Sequence, residues 1–563
     1  MKFGARSLIV SLLCLAAALA VGLYCHSGGA PDRHCRCQPA VSQRPSRENT
    51  RPIPQPTGGG RRPAAGAATA AAAKSPWPLP ASVDGPTVIS NEWQLRFASR
   101  EAMAKFLEQA GGRPGAAIID YDDTLLSVRI KVGSREVLAR LERQLDSRPL
   151  AISPNHRFSL PATTVSPADL PVRASYRPYG GQALAGLGIR EGSNGDWGRG
   201  VTVALIDTGI RNPELFAAGQ VAAIDLLADD NGDEDATAAA WHGTAMASII
   251  GSQDERLPGV APAVSLLDIR ALDDQGRGDG FTLARGIITA VDNGADIINL
   301  SVGGLDDDLA LRLAIDYAQE NGVTVVAAAG NEGAGQLDYP ARYPGVVAVG
   351  AVDAAGQHPD FSNSGGEIDL AAPGYGVYTA LGSQLYARLN GTSAAAAFVS
   401  GAIAGVMSEE GLDAPAATGL VICFAVDLGH PGRDFSFGIG LVNLDRIRDR
   451  FTAYDDLATA GYFWQPPASA AADRPANPRL AVSVQNRGTT DIWDVDVVVR
   501  INGAARRYRL DSLAPGESQS ITTGLSLAEL QQLGSAAVKV AVSAPGIDDR
   551  HPENNLAAFY LSR

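Results

Sequence analysis

Between residues 182 and 450, apolar strand-like runs alternate with segments of helical pattern. VTVALI is a continuous apolar strand, which is typical of parallel strands buried on both faces. FTLARGIITAVDNG has a helical pattern and stops at Asn293-Gly294, while ADIINLSVGG and VTVVAAAGN each read as a strand and a Gly-bearing loop. Repeated βα units predict an α/β fold with a doubly wound, mostly parallel sheet that binds ligands at the carboxyl ends of its strands.

Two smaller domains are expected, one before and one after this α/β segment in the sequence. Residues 87–161 combine alternating runs such as EWQLRF with the helical spacing of REVLARLERQL, which predicts an α+β domain. Residues 162–181 connect it to the α/β domain. After a linker at 451–474, alternating valines and an Asn502-Gly503 hairpin signal predict an all-β sandwich over 475–563.

The amino terminus predicts export. MKFGAR carries two positive charges and precedes an apolar run, so residues 1–25 are a signal sequence or an uncleaved membrane anchor. The protein is therefore expected to be secreted or periplasmic, or tethered to the membrane. Residues 26–86 are rich in Pro, Gly, Ala and Arg, which indicates a flexible linker. The net charge of −14 argues against a nucleic-acid partner.

The cysteines and the acidic tract give two further expectations. Cys423, in GLVICFAV, reads as an apolar core residue, so the folded body is expected not to depend on disulfides. The tract DLLADDNGDEDA offers Asp229, Asp233 and Asp235 as calcium candidates. Its spacing fits no EF-hand, and a solvated acidic loop is the preferred interpretation. No metal site is assigned, and a structural calcium ion is left open.

Three loops of the α/β domain carry the residues that nucleophilic catalysis needs. Asp207 ends a strand, and His242 and Ser393 each open a helical segment. A serine hydroxyl is a poor nucleophile until a base takes its proton, and histidine is the base suited to neutral pH. A buried carboxylate fixes the histidine tautomer. A helix N-terminus at Ser393 and the side chain of Asn331 would supply donors to an oxyanion, and this chemistry requires no cofactor.

These residues lie in IDTGI, HGTAMA, NLSVGG, AAAGNEG and NGTSAAAAFVSG, which in this order resemble the motifs of the subtilases, the subtilisin-like serine proteases. The resemblance implies a serine endopeptidase that forms an acyl-enzyme. In it Asp207 orients His242, which acts as general base and then acid, and Ser393 is acylated. Asn331 and the Ser393 backbone N–H stabilise the oxyanion. Ala394–Ala397 replace the commonest Met-Ala-x-Pro pattern without loss of a catalytic group.

The resemblance also implies where a protein or peptide substrate binds. SVGG pairs with the substrate backbone as an added strand, opposite GRGDG. AAAG walls the pocket for the residue before the scissile bond, whose specificity is expected to be broad with a preference for larger apolar residues. A glutamate at the rim could accept a lysine. The implied substrate-binding residues are Ser301, Val302, Gly303, Gly278, Gly280, Ala328, Gly330 and Glu332.

The flanking domains resemble known companions of this fold. Residues 87–161 resemble a subtilase propeptide, which acts as chaperone and inhibitor, so a self-processing zymogen cut within about residues 161–180 is expected. Residues 475–563 resemble Ig-like, cell-adhesion-related bacterial domains, which implies a cell-surface or protein partner. Two alternatives stay open. One is a maturation protease for a single partner recruited by the C-terminal domain, and the other is an adhesion protein with an inert subtilase fold.

Overall fold

The computed structural model describes residues 86–144, 147–161, 164–167, 176–190, 192–227, 238–381, 384–465 and 477–562. The predicted signal or anchor, nearly all of the first linker and the calcium candidates Asp229, Asp233 and Asp235 lie outside these ranges. Within them, no helix is both long enough and apolar enough to cross a membrane.

The N-terminal domain is a small sheet covered by two helices. Trp93 and Leu95 from its first strand pack with Met103, Phe106 and Leu138 from the helices, as the alternating and helical patterns predict. An additional edge strand, β2, was not predicted because none of its side chains is fully buried. The elements are β1 (Val88–Arg96), α1 (Arg100–Ala110), β2 (Ala116–Asp122), β3 (Ser127–Val132), α2 (Arg135–Gln144) and β4 (Ala151–Ser159).

The central domain is built on a seven-stranded sheet in which every neighbouring pair is parallel. This confirms the predicted α/β fold. The strand order is β13-β12-β11-β10-β6-β8-β7. The strands are β6 (Thr202–Asp207), β7 (Val221–Asp225), β8 (Ser265–Arg270), β10 (Ile297–Leu300), β11 (Thr324–Ala328), β12 (Val347–Val352) and β13 (Leu370–Pro373), and β9 (Arg277–Asp279) pairs instead with β4 of the N-terminal domain.

Helices cover both faces of this sheet, each over its own apolar cluster. One face packs α4 (His242–Gly251), α7 (Thr392–Glu410) and α8 (Ala414–Cys423), and the other packs α5 (Gly280–Asp292) and α6 (Leu309–Glu320). The short helices are α3 (Ala183–Gly186) and α9 (Leu444–Arg448). A second, antiparallel sheet has the order β14-β15-β5, formed by β14 (Val377–Leu381), β15 (Gln384–Asn390) and β5 (Thr164–Pro167).

The C-terminal domain is the predicted all-β sandwich, with sheets β16-β17-β20 and β19-β18-β21-β22 around one apolar core. Asn502 and Gly503 both have positive φ, at 48° and 88°, as a two-residue type I′ hairpin requires. The elements are β16 (Leu457–Gln465), β17 (Arg479–Asn486), β18 (Ile492–Ile501), β19 (Ala504–Leu513), β20 (Ser518–Ser526), α10 (Leu527–Leu533), β21 (Ser535–Ser543) and β22 (Leu556–Ser562).

Two expectations differ from the structure. The linker predicted at 451–474 contains β16, because Leu457, Ala458 and Ala460 are buried against the sandwich. Cys423 is not a core residue, since it is exposed and disulfide-bonded.

Helix α7 depends on a close approach at Gly401. A Cβ added there would lie 2.7 Å from Cβ of Val260, whereas one added at Gly419 of α8 would meet nothing within 4 Å. We expect Gly401→Ala to lower the free energy of unfolding by about 1–3 kcal/mol through overpacking. The matched control Gly419→Ala should raise it by up to about 1 kcal/mol through helix propensity. Thermal unfolding midpoints would check both, and an unchanged or raised midpoint for Gly401→Ala would contradict the close packing.

Candidate active site

Three neighbouring strands of the parallel sheet end in polar residues. Asp207 is the last residue of β6, Ser301 follows β10, and Asn331 lies three residues beyond β11. These strands are adjacent in the order β11-β10-β6 and run parallel, so their carboxyl ends meet at one edge of the sheet. Such an edge is where open α/β sheets bind ligands.

His242 is held against Asp207 at this edge. Its Nδ1 lies 2.9 Å from both carboxylate oxygens of Asp207, and Thr208 N donates to Oδ1 at 2.8 Å. Asp207 is wholly buried and His242 is 2% exposed. Since Nδ1 must carry the hydrogen that reaches the carboxylate, Nε2 is left as the basic nitrogen.

The first turn of α7 is hydrogen-bonded to the ends of β10 and β11. Thr392 donates to Asn331 Oδ1 from both its backbone N and its Oγ1, each at 2.9 Å. Thr392 Oγ1 also accepts from Gly330 N at 3.2 Å, and Ser301 Oγ donates to the carbonyl of Ser393 at 3.2 Å. Ser393 is therefore fixed at the same edge of the sheet as Asp207 and Asn331.

Three polar atoms at this edge are buried and have no hydrogen-bond partner: Ser393 Oγ, His242 Nε2 and Asn331 Nδ2. An unpaired buried donor or acceptor costs about 1–3 kcal/mol, so most are paired in folded proteins. Three of them together indicate a site whose hydrogen bonds are completed by a ligand. Bonds between catalytic groups are often formed only once substrate binds.

A segment of the chain itself lies in the cleft beside these residues. Phe158 of β4 pairs with Gly278 of β9. On its other side Ser159 exchanges two backbone hydrogen bonds with Gly303, at 3.0 and 2.8 Å. Leu160 N donates to Gly276 O at 2.9 Å. Residues 157–160 thus form the strand between GRGDG and SVGG.

The same segment continues on the far side of the site. In β5, Thr164 pairs with Asn390 and Val165 with Leu389 of β15, and β15 leads directly into α7. Asn390 lies two residues before Thr392, the first residue of the helix that carries Ser393. Residues 157–160 and 164–167 are thus paired with two different parts of the same edge.

The N-terminal domain also docks on the start of two helices. Asp279 caps α5 and accepts hydrogen bonds from Arg129 Nη1 at 3.0 Å and Asn155 Nδ2 at 3.1 Å. Asp308 caps α6, and both its oxygens accept from Gln94 Nε2, at 3.0 and 2.8 Å. Asn155, Asp308 and Gln94 are almost completely buried. The contact is thus a polar network whose central residues, Asn155, Asp308 and Gln94, are closed off from water.

The residues predicted to bind substrate separate into two groups. Five of them lie along the cleft or are hydrogen-bonded to its walls: Ser301, Gly303, Gly278, Gly330 and Glu332. The side chains of Val302 and Ala328 lie in the two core clusters, and Gly280 packs against the carboxylate of Asp308. Sequence reasoning missed Asp338, whose carboxyl group lies beside Gly303 and Gly330, because nothing in GQLDYP marks it.

Within the described residues, no group of three or more His, Cys, Asp or Glu side chains is arranged to hold a metal ion.

Comparison with known proteins decides the family. The model of the subtilase family matches residues 198–440. Subtilisin DY of Bacillus licheniformis is 37% identical over 257 residues, which span 44% of this chain and 90% of that protein. The chain belongs to the subtilase family. It is a serine endopeptidase with the subtilisin-like fold.

Other relatives of this subtilase match the same domain. Thermitase of Thermoactinomyces vulgaris is 35% identical over 42% of this chain and 84% of its own length. The major intracellular serine protease of Bacillus subtilis is 40% identical over 38% of the chain and 70% of that protein. The crystal structure of fervidolysin from Fervidobacterium pennivorans matches 82% of this chain and 72% of the fervidolysin chain, with a TM-score of 0.55. At 21% sequence identity this match shows a similar fold.

Thr392 is expected to position Asn331 without touching substrate. Thr392→Val removes one of the two hydrogen bonds that hold the Asn331 side chain, a loss of about 0.5–1.5 kcal/mol. In this subtilase kcat should fall about 2- to 12-fold with KM nearly unchanged, as steady-state kinetics on a peptide substrate would show. Thr392→Ser keeps the hydroxyl and should restore kcat. Equal losses in both variants would contradict the positioning role.

Proposed function

We propose that this subtilase hydrolyses peptide bonds through an acyl-enzyme formed on Ser393. The observation that carries the proposal is the set of buried, unpaired atoms Ser393 Oγ, His242 Nε2 and Asn331 Nδ2 beside a segment bound as an extended strand. His242 Nε2 takes the proton of Ser393 as Oγ attacks the carbonyl carbon, and returns it to the leaving amine. Asp207 holds the ring and stabilises the imidazolium.

The negative charge that develops on the carbonyl oxygen requires donors that are already in place. Asn331 Nδ2 is one, because its amide is oriented by the two hydrogen bonds that Thr392 gives to Oδ1. The backbone N–H of Ser393, in the first turn of α7, is the other. A water molecule then hydrolyses the ester, again with His242 as base. The proposed chemistry uses no cofactor.

The N-terminal domain is proposed to be an inhibitory propeptide. Its β4 occupies the strand position between GRGDG and SVGG that a substrate needs. Its polar network on Asp279 and Asp308 adds a second attachment. Because Leu160 is bound in the cleft and Thr164 pairs with Asn390, close to the helix that carries Ser393, we place the maturation cleavage between Pro161 and Thr164, inside the window expected from the sequence.

The remaining parts of the function are proposed from sequence. The apolar residues 1–25 support export, as a secreted, periplasmic or membrane-tethered protein. No metal site is assigned, a solvated acidic loop stays the preferred interpretation of Asp229, Asp233 and Asp235, and a structural calcium ion stays open. A cell-surface or protein partner for the C-terminal sandwich stays a prediction, together with its use in recruiting a single substrate.

Intact mass would test the proposed nucleophile. The wild-type protein should separate into two fragments and gain one adduct from a fluorophosphonate probe, whereas Ser393→Ala should stay full length and unlabelled. Ser408→Ala is the matched control, since its hydroxyl lies on the same helix but is bonded to Gly405 O and Gly198 N. That variant should be cut and labelled like wild type. Labelling of Ser393→Ala, or a wild type that stays unlabelled after its N-terminal domain is removed, would refute the assignment.

A further inference from the structure

Asp338 is a buried carboxyl group that the proposed chemistry does not use. It is 6% exposed, and its backbone N donates to Ala329 O at 3.0 Å. The next residue, Tyr339, exchanges two backbone hydrogen bonds with Gly304, at 2.8 and 2.9 Å. Asp338 is thereby attached to both walls of the pocket, the one that follows β11 and the one that follows β10.

Its side chain lies between those walls. A Cβ added at Gly303 would come within 2.5 Å of Asp338 Oδ2, and one added at Gly330 would come within 2.8 Å of the same oxygen. Gly303 pairs with the strand in the cleft, and Gly330 is hydrogen-bonded to Thr392, next to Ser393. The carboxylate therefore lies in the pocket proposed for the residue before the scissile bond.

A second carboxylate, that of Glu332, lies beside Asp338. Glu332 Oε2 lies as close to the Gly330 Cβ position as Asp338 Oδ2 does, and it accepts from Asn331 N at 2.8 Å and Asn363 Nδ2 at 2.9 Å. Burial and the neighbouring Glu332 raise the pKa of Asp338 to about 7. In the part of the chain that the structure describes, neither carboxylate forms an ion pair with Lys or Arg.

An adjoining unpaired donor shows that this region is built to receive a ligand. Asn331, next to Glu332, is more than nine-tenths buried and its Nδ2 has no partner. The carbonyl oxygen of a bound peptide would accept a hydrogen bond from Asn331 Nδ2. The side chain of the same peptide residue would then extend toward Asp338.

We propose that this pocket selects lysine or arginine before the scissile bond, with Asp338 binding the cationic end and Glu332 supporting it. The inference rests on the proposed function of Ser393. Charge-assisted hydrogen bonds to carboxylates are about twice as strong as neutral ones, and a buried carboxylate without a cation is costly. An apolar side chain before the scissile bond would leave the carboxyl groups of Asp338 and Glu332 in contact with hydrocarbon and without a cation. The broad, apolar-preferring pocket expected from sequence was inferred without Asp338.

The preference should depend on pH with a defined sign. A carboxyl whose pKa is raised is neutral below that pKa and charged above it, so Asp338 attracts a cation more strongly as pH rises through about 7. Glu332 is the ionisable side chain that faces it, and the walls meet it with the backbone of Gly303 and Gly330. The ratio of kcat/KM for a Lys peptide to that for a Leu peptide cancels every pH effect on the chemical step that the two peptides share.

The test uses the protein after maturation, with its C-terminal domain in place, and four peptides that differ only in Lys, Arg, Leu or Phe before the scissile bond. The wild type should favour Lys and Arg by at least about 10-fold in kcat/KM, and Asp338→Asn should lower the Lys-to-Leu ratio by at least about 10-fold. The exposed Asp316 of α6 gives the matched control, since Asp316→Asn makes the same change of charge away from the cleft and should leave the ratio unchanged. Fluorophosphonate labelling counts competent active sites in each variant.

A wild type that prefers Leu or Phe, or a Lys-to-Leu ratio that Asp338→Asn leaves unaltered, would overturn the inference while peptides are still cleaved. The wild-type ratio should also rise between pH 6 and 8, and a flat ratio would count against Asp338 even if the variant fails to fold. Failure of the proposed function gives a different result, with no labelling and no cleavage of any of the four peptides.

Discussion

The attachment of the first turn of α7 to two strand ends is the constraint on which the site depends. Thr392 holds Asn331 after β11, and Ser301, after β10, holds the carbonyl of Ser393. Asp207 ends the third of these adjacent strands. Because a hydrogen-bonded sheet fixes the spacing of its strand ends, the relative positions of Asp207, Asn331 and Ser393 follow from the sheet.

The sequence predicted these residues because each lies at an element boundary that local pattern marks. Asp207 closes an apolar strand, and His242 and Ser393 begin helices, as the structure places them. Asp338 could not be found in this way, since its position depends on a loop that folds back onto Ala329 and Gly304. The strand β16 was missed because it lies directly before the Ala- and Pro-rich segment ASAAADRPANP, and the predicted linker was extended over it. Cys423 was misassigned because an apolar run in a helix does not show which of its faces is exposed.

The strand that occupies the cleft is part of the same chain, which affects how the proposed inhibition would work. A free peptide competes at its own concentration, whereas a tethered segment competes at an effective concentration that dilution does not alter. The network on Asp279 and Asp308 lies away from the scissile region, so a cut between Pro161 and Thr164 would leave it intact. Cleavage and the opening of the cleft are therefore separate events in the proposed zymogen.

The helix that carries Ser393 is enclosed on all sides, since every residue from Thr392 to Met407 is buried. Helix ends on protein surfaces commonly open and close with little cost, but an enclosed helix can open only when its surroundings do. Ser393 therefore belongs to a part of the domain that opens only together with its surroundings. Heat or denaturant should leave the arrangement of Ser393, His242 and Asp207 whole until the domain melts, so preparations that have lost part of their proposed activity would be mixtures of fully folded and fully unfolded molecules.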